Sequence, residues 1–102
     1  MLRIKLFCAG GMSTSILVNK MKKAAEARGL EVDIDAYPES TLAARIDECD
    51  IVLLGPQVRY MLAKAKEICE PKGVPVDVIS MQDYGLMNGE KVLDAAVALL
   101  NK

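Results

Sequence analysis

One cysteine near the amino terminus stands in a segment of small and hydroxyl-bearing residues. The segment reads Cys8-Ala9-Gly10-Gly11-Met12-Ser13-Thr14-Ser15. Two glycines let successive backbone N–H groups turn toward one point, and such a nest at the start of a helix binds anions. The same field favours a thiolate over a thiol, so Cys8 is a candidate nucleophile that needs no histidine base.

A phosphoryl group on the Cys8 sulfur would rest in a ring of hydrogen-bond donors. We therefore predict that Cys8 is catalytic and that the rest of the segment binds phosphate through backbone N–H groups and hydroxyls. The predicted phosphate-binding residues are Ala9, Gly10, Gly11, Met12, Ser13, Thr14 and Ser15. The segment is not a Walker loop, because the lysine of GxxxxGK[ST] is missing, and it is not a GxGxxG loop. An inert, buried Cys8 in an ordinary strand-to-helix turn fits the same residues.

The chain contains no histidine among its 102 residues. This absence excludes Ser-His-Asp and Cys-His hydrolases and the usual histidine-containing zinc sites. The three cysteines, Cys8, Cys49 and Cys69, form no CxxC pair, which disfavours an all-thiolate zinc site. We expect neither a metal nor a cofactor, and we expect Cys49 and Cys69 to be inert because both fall in apolar surroundings.

Charge and length exclude further classes. Thirteen basic and fourteen acidic residues give a net charge of -1, and only four aromatic residues are present, so we do not expect nucleic-acid binding. The cysteine count, the absence of a signal peptide and the lack of an apolar run of ~20 residues favour a cytosolic protein without a membrane span. A chain of this size forms one core and one domain.

Strand and helix patterns alternate along the chain. The predicted strands are residues 2–7, 31–36, 51–54 and 76–79. The predicted helices run from a cap at Ser13 or Thr14 to about Arg28, over 38–48, from Pro56 to Pro71, and over a stripe from Val92 to Leu100 that follows a loop, Ser80 to Asn88. The pattern predicts a three-layer α/β protein with helices on both faces of a parallel sheet.

The sequence also orders these strands. Residues 31–36 alternate between apolar and acidic, which suits an edge strand, whereas Ile51-Val52-Leu53-Leu54 is apolar throughout and suits a central one. With the fourth strand at the other edge, the order is 2-1-3-4. The crevice at the topological switch point then lies where the loops 8–14 and 55–59 meet, and Cys8 is in it.

Several segments together resemble a known family. They are the Cys8–Ser15 segment, Leu53-Leu54-Gly55-Pro56-Gln57 with Tyr60-Met61, and Asp83-Tyr84-Gly85. This combination is similar to the lactose/cellobiose-type enzyme IIB of the bacterial phosphoenolpyruvate-dependent sugar phosphotransferase system, and the resemblance spans the whole chain. It implies one IIB domain over residues 1–102 with a flavodoxin-like fold, similar to that of low-molecular-weight phosphatases.

The resemblance also implies a carrier reaction. Cys8 would accept a phosphoryl group from a phosphohistidine of enzyme IIA. It would then pass the group to a sugar, a β-disaccharide such as cellobiose, lactose or chitobiose, held by the membrane-embedded enzyme IIC. Such a protein is a cytoplasmic monomer that visits the inner face of the membrane through IIC.

Accessory roles are open for a few residues near the predicted crevice. Gln57 either orients the loop or a phosphate oxygen, or bonds the backbone at a helix start. Tyr60 and Tyr84 are either rim and docking residues or half-buried aromatics. The lysines at positions 20, 22 and 23 are either a solvated face or a docking patch.

Two other interpretations remain open from the residues alone. Low-molecular-weight tyrosine phosphatases and arsenate reductases place a cysteine at the same point but use Cys-x5-Arg, whose arginine forks onto the phosphate. Thr14 stands at that arginine's position, which argues against hydrolysis, although Asp83 is a candidate general acid. The other interpretation is a non-catalytic anion-binding module.

Overall fold

The structure, a computed structural model, describes residues 1–9 and 12–101. Within these residues the strands are β1 (Leu2–Cys8), β2 (Val32–Pro38), β3 (Ile51–Leu54) and β4 (Val76–Val78). The α-helices are α1 (Met12–Ala27), α2 (Leu42–Arg45), α3 (Leu62–Cys69), α4 (Met81–Gly85) and α5 (Gly89–Ala98). None of the helices in this part of the chain has the length and apolar composition needed to cross a bilayer.

The four strands form one parallel sheet in the order β2-β1-β3-β4, so the predicted order is confirmed. All four residues of β3 are buried, as its unbroken apolar run predicts. In the register of the sheet, Cys8 pairs with Pro38 of β2, and Phe7 pairs with Leu54 of β3. The carboxyl ends of β1, β2 and β3 therefore lie at the same end of the sheet, and Cys8 lies there with them.

Two apolar clusters cover the two faces of the sheet. The first, against α1 and α5, includes Ile4, Leu6, Leu17, Met21, Ile34 and Leu93. The second, against the segments before and after β3, includes Phe7, Leu42, Leu54, Val58, Ala65 and Cys69. Helices on both faces give the predicted three layers. Cys8 lies on the same face of β1 as Ile4 and Leu6, because alternate residues of a strand share a face.

The predicted helices around β3 are more broken than their apolar spacing suggests. Residues 38–48 form a 3-10 turn, the single turn of α2 and another 3-10 turn. The next helix begins as a 3-10 segment, Pro56–Met61, with a kink at Val58, and becomes α-helical only at Leu62. Both segments still bury their apolar residues, which shows that tertiary packing, more than helix propensity, holds them in place.

The segment from Ser80 to Asn88 is not the predicted loop, because it contains α4. The Ser80 hydroxyl accepts a hydrogen bond from the backbone N–H of Asp83 at 3.1 Å and so caps this helix. The Ser-x-x-Asp spacing was the sequence signal for that cap. At the other end of the chain, Leu100 is 47% exposed, so it does not belong to the predicted apolar stripe, and Leu99 packs on the core in its place.

Helix α1 begins at Met12, so Ser13 and Thr14 are not its N-cap as predicted. Thr14 instead lies inside the first turn, where its hydroxyl is free to contact other elements. The glycine turn predicted at Gly10 and Gly11 lies outside the described residues, as do the side chains of Met12 and Ser13.

A buried lysine bonded to two half-exposed aspartates lies on the second face of the sheet, which the alternation of β2 did not predict. Lys5 is 3% exposed, and its Nζ donates to Asp33 at 3.0 Å and to Asp35 at 3.2 Å. Burial disfavours the charge of Lys5, but the hydrogen bonds that its ammonium group donates to the two aspartates outweigh burial and raise its pKa. Asp33 and Asp35 thus fix β2 to β1 instead of only facing solvent.

Helix α5 packs closely on α1 at Gly89. A Cβ on Gly89 would lie 2.5 Å from the carbonyl carbon of Lys20 and 2.6 Å from the backbone nitrogen of Met21. We expect Gly89→Ala to lower the free energy of unfolding by about 1–3 kcal/mol, because backbone must move to admit the methyl group. Gly85→Ala is the matched control, since a Cβ there meets nothing within 4 Å. Urea unfolding of both variants tests this, and equal midpoints would contradict it.

Candidate active site at the end of β1

Cys8 and Gly55 bring the first and third strands' loops together. The backbone N–H of Gly55 donates to the carbonyl of Phe7 at 2.9 Å. A Cβ on Gly55 would lie 3.0 Å from the Cβ of Cys8 and 3.0 Å from Oε1 of Gln57. Glycine at position 55 therefore keeps the space beside Cys8 open. The predicted meeting of the two loops at the switch point is confirmed.

Cys8 ends a chain of three hydrogen-bonding side chains. Its Sγ lies 3.0 Å from Oγ1 of Thr14, and that oxygen lies 3.0 Å from the phenol oxygen of Tyr84. Cys8 is 4% exposed and Thr14 is 3% exposed, whereas Tyr84 is half-buried. Three separate elements, β1, α1 and α4, thus contribute one side chain each.

A groove of about 440 Å³ lies beside this chain. It is lined by Pro56, Gln57, Arg59, Tyr60, Met81, Tyr84 and Gly85. The structure therefore brings all three predicted accessory residues, Gln57, Tyr60 and Tyr84, to one groove, although Tyr60 is 75% exposed and only Tyr84 is bonded to Thr14. The groove meets the three-residue chain at Tyr84, and neither Cys8 nor Thr14 is among the residues that line it.

Ser15 and Ala9, the other described members of the predicted phosphate-binding segment, are exposed. The side chain of Ser15 lines a separate cleft with Lys22 and Asp35, on the β2 side of α1. Among the described side chains of the segment, Thr14 is the one whose hydroxyl reaches the sulfur. Gly10 and Gly11 lie outside the described residues, and for Met12 and Ser13 only the backbone is described.

The lysines of α1 do not form one face. Lys22 borders the cleft with Asp35, whereas Lys20 and Lys23 border another, of about 370 Å³, at the start of α5. The two roles considered for these lysines, a solvated face or a docking patch, therefore apply separately to Lys22 and to the pair Lys20 and Lys23. Neither cleft includes Cys8.

Cys49 and Cys69 are buried on the opposite face of the sheet from Cys8. Burial raises the pKa of both thiols to about 11, and for Cys49 the neighbouring Cys69 adds to the effect. At pH 7 only about one in ten thousand of such thiols is a thiolate. These two cysteines are therefore poor nucleophiles, as predicted from their apolar surroundings.

We predict that iodoacetamide modifies Cys8 first in the native protein at pH 7. The thiolate is the reactive form, and burial raises the pKa of Cys49 and Cys69 to about 11. All three thiols are buried, but within the described residues only Cys8, among the three, lies within 3.0 Å of a hydroxyl in the first turn of a helix. Peptide mass spectrometry after timed quenching measures the three rates. Equal modification of Cys49 or Cys69 in native buffer would contradict the prediction, and modification of all three in urea is the control.

Asp83, the candidate general acid of a phosphatase, makes no hydrogen bond to Cys8 or Thr14 among the described residues. It lines a small cleft with Val92 and Leu99, between β4 and α5, and it is not among the residues of the groove that Tyr84 lines. With threonine at position 14, the arginine of the Cys-x5-Arg motif is also missing. Both parts that would favour hydrolysis are therefore absent from the described site.

Fold and site together define a class: doubly wound parallel α/β domains that hold a thiol at the switch point after the first strand. The family model described as "PTS system, Lactose/Cellobiose specific IIB subunit" matches residues 3–95. The chain therefore belongs to this family of sugar-specific IIB components of the phosphotransferase system. The phosphatase interpretation is not favoured.

Individual relatives agree with this assignment. The galactose-specific and the cellobiose-specific EIIB components of two Lactococcus lactis strains are each 49% identical, over 96% of this chain and 95% of their own length. The solution structure of the cellobiose-specific IIB component from Borrelia burgdorferi is 43% identical and superimposes with a TM-score of 0.80, covering 98% of this chain and 92% of that one. Relatives at equal identity carry different sugar names, so identity alone does not define the sugar.

Membership fixes the general activity and the general partners. IIB components are phosphotransferases, and they work with a IIA component and a membrane IIC component. The sequence interpretation of the chain as a sugar-specific IIB component is thus confirmed. It did not foresee the contact of Tyr84 with Thr14, because that contact joins elements far apart in sequence.

Proposed function

We propose that Cys8 carries a phosphoryl group from a phosphohistidine of the IIA component to a sugar held by the IIC component. One observation supports this most directly: the Cys8 sulfur, at the switch point, lies 3.0 Å from a hydroxyl in the first turn of α1. Sulfur, hydroxyl and helix start converge there on one point. Such a convergence suits a dianion bonded to sulfur.

The first transfer forms an S–P bond and breaks an N–P bond. Cys8 attacks the phosphorus of phosphohistidine as a thiolate, having lost its proton to solvent. The electron pair of the N–P bond returns to the imidazole nitrogen of IIA. The nucleophile needs no base at that moment, which agrees with a chain that contains no histidine.

The second transfer forms an O–P bond and breaks the S–P bond. A sugar hydroxyl attacks the phosphorus, its proton passes to a base of the IIC component, and the electron pair of the S–P bond remains on Cys8. The thiolate is therefore both the nucleophile of the first step and the leaving group of the second. Donors directed at the sulfur serve both steps.

The segment after Cys8 would hold the phosphoryl oxygens. In this proposal Ala9, Gly10, Gly11, Met12, Ser13, Thr14 and Ser15 donate backbone N–H groups and hydroxyls to the phosphate. Gly55 leaves the volume free, because a side chain there would press on Cys8. The Gln57 side chain also lies next to Gly55, because its Oε1 would be 3.0 Å from a Cβ at that position. In this proposal its amide N–H donates to an oxygen of the phosphoryl group or to the partner's side chain.

Neutral donors suit a carrier better than an arginine would. A carrier must keep its phosphoryl group from water until the acceptor arrives. An arginine fork would stabilise the charge that develops during attack by any nucleophile, including water. A hydroxyl and backbone N–H groups hold the group with less of that effect, and Asp83 lies outside the groove.

The remaining parts of the proposal follow from the carrier role. Residues 1–102 act as one domain and as a monomer, in the cytoplasm, which reaches the membrane only through the IIC component. The sugar is a β-disaccharide of the cellobiose, lactose or chitobiose type. Because IIC holds the sugar in this scheme, the selecting contacts belong to that partner.

Incubation with a phosphorylated IIA component of the family, carrying radioactive phosphate, tests the proposal. We expect one phosphoryl group per chain that stays bound after IIA is removed and leaves when membranes with IIC and a β-disaccharide are added. Release of inorganic phosphate without an acceptor, at about 1 per second or faster, would identify a hydrolase. No labelling would identify an anion-binding module.

A further inference from the structure

We propose that Tyr84 is a positioning residue, whose phenol orients the Thr14 hydroxyl so that it donates to the Cys8 sulfur whenever that sulfur carries negative charge. The inference rests on the proposed role of Cys8. It assigns a task to a tyrosine of α4, 70 positions from Thr14 along the chain. Three atoms are involved, Cys8 Sγ, Thr14 Oγ1 and the phenol oxygen of Tyr84, and the hydroxyl protons between them decide which atom donates to which.

Thr14 has one hydroxyl proton and two partners. Its Oγ1 lies 3.0 Å from Cys8 Sγ on one side and 3.0 Å from the Tyr84 phenol on the other. With Thr14 3% exposed, water has little access to take the place of either partner. The direction of donation along the chain is therefore set by which end can give a proton and which end needs one.

Charge on the sulfur fixes that direction. A thiolate only accepts, so Thr14 must donate to Cys8, and its lone pair then accepts from the Tyr84 phenol. Both hydrogen bonds then point at the negative charge, and each strengthens the other. Without the phenol, the Thr14 proton would still be available, but its oxygen would lose the donor that favours this orientation.

The same arrangement acts in both halves of the carrier cycle. The sulfur is a thiolate when it attacks phosphohistidine and becomes one again when the sugar takes the phosphoryl group. No proton leaves Thr14 or Tyr84 in either step, because they only donate hydrogen bonds. Stabilising the leaving thiolate lowers the barrier of the second transfer.

The fold holds Tyr84 firmly enough for this task. Its backbone N–H donates to the carbonyl of Ser80, and its own carbonyl accepts from the N–H of Met87, both at 3.0 Å. Met87 has a φ of +52°, a left-handed conformation that is uncommon outside glycine, and it turns the chain from α4 into α5. The backbone of Tyr84 is thus held by a capped helix on one side and a tight turn on the other, and its side chain packs against the first apolar cluster.

Three variants separate positioning from other roles. Tyr84→Phe removes the phenol oxygen and keeps the ring, Thr14→Val removes the Thr14 hydroxyl, and Thr14→Ser retains it. In the partner-free protein we measure the rate of Cys8 alkylation by iodoacetamide against pH. For Tyr84→Phe we expect the midpoint of that profile to move up by about half a unit to one unit, the effect of losing one hydrogen bond between two uncharged groups, here the bond that orients the Thr14 hydroxyl.

Transfer supplies the second readout. At saturating IIC and sugar, phosphoryl transfer from phosphorylated Tyr84→Phe should be about tenfold slower than from the wild type, as expected for the loss of the one hydrogen bond that orients Thr14 toward the sulfur. Thr14→Val should be slower still, and Thr14→Ser should stay within about threefold of the wild type, because it keeps the donor. The double variant Tyr84→Phe/Thr14→Val should be no slower than Thr14→Val, because Tyr84 acts through Thr14.

Tyr37→Phe is the matched control, since it removes a phenol oxygen from the other face of the sheet. A pH profile of Tyr84→Phe identical to that of Tyr37→Phe would overturn the proposal. Additive effects in the double variant would also overturn it, because Tyr84 would then act independently of Thr14. A change confined to the concentration of IIA needed for half-maximal rate would mean that Tyr84 is a docking residue, which again contradicts positioning.

The alkylation profile also keeps this inference separate from the proposed function. It needs no partner protein, so it reports on the Tyr84–Thr14–Cys8 chain even where Cys8 takes no phosphate. Failure of the wild type to be labelled by IIA would remove the proposed function. An unshifted profile with normal labelling would remove only the role of Tyr84.

Discussion

Cys8→Ser should lose phosphoryl transfer to the sugar completely, a fall of at least about a thousandfold in rate. A serine hydroxyl is a poorer nucleophile than a thiolate at neutral pH, and the serine alkoxide is a poorer leaving group than the Cys8 thiolate when a sugar hydroxyl attacks the phosphorus. The variant changes one atom at the end of β1, and the core around it stays the same. Sugar phosphorylation in a system rebuilt from IIA, IIC and the variant measures the loss.

Cys49→Ala is the control for this variant. Cys49 is buried on the other face of the sheet, with its Sγ hydrogen-bonded to the carbonyl of Arg45 at 3.2 Å, so its loss should affect stability and not transfer. Normal sugar phosphorylation by Cys8→Ser would mean that the phosphoryl group travels through another residue. Loss of transfer in Cys49→Ala, with an unchanged unfolding midpoint, would have the same meaning.

Thr14→Arg should raise the affinity of the Cys8 site for free phosphate. The variant restores the Cys-x5-Arg spacing, and a guanidinium forks onto two phosphate oxygens. It also removes the hydroxyl that lies 3.0 Å from the Cys8 sulfur. We expect free phosphate or arsenate to bind about tenfold more tightly, transfer to sugar to be at least about tenfold slower, and phosphate release to water to rise.

Asn19→Arg is the matched control for charge, because it places an arginine on the exposed side of the same helix, in the cleft next to Lys22. Thermal unfolding verifies that Thr14→Arg, at a buried position, is folded before its activity is compared. Calorimetry with phosphate gives the affinity. Equal phosphate affinity in both variants, or unchanged transfer by Thr14→Arg, would show that position 14 does not determine how the group is held.

The sheet was predictable because the burial of a strand determines its pattern of apolar residues: a strand covered on both faces is apolar throughout, and one with a solvated face alternates. Residues 51–54 are apolar without alternation, and β3 is buried at each of them. Residues 31–36 alternate, and the strand that they form is the edge strand β2. With the fourth strand at the other edge, these two patterns gave the order 2-1-3-4, and with it the meeting point of the loops that contain Cys8 and Gly55.

Helix detail was less predictable, because tertiary contacts override weak local signals. Ser13 and Thr14 were expected to cap α1, but the helix begins before them and the Thr14 hydroxyl contacts Cys8 and Tyr84. Residues 38–48 have helical spacing yet form 3-10 turns around one α-turn, because a short segment is shaped by what it packs on. Both α4 and α5 had local signals that were not used, the caps at Ser80 and Asn88.

Some of the site was also predictable from the sequence, and some of it was not. Residue type and position after a strand identify Cys8, because thiol chemistry and the switch-point rule are both local in the sequence. The contact of Thr14 with Tyr84 joins positions 14 and 84, and the buried Lys5 joins β1 to two aspartates of β2. No spacing within a single segment encodes such contacts, so only the folded chain shows them.

The location of the phosphoryl group is the most direct test of the whole account. The protein is phosphorylated by IIA, digested under mild alkaline conditions that preserve phosphocysteine, and its peptides are sequenced by mass spectrometry. We expect one phosphate per chain, on Cys8, and none on the peptides that contain Cys49 or Cys69. Phosphate on a serine, a threonine, a tyrosine or another cysteine, with Cys8 unmodified, would contradict the account.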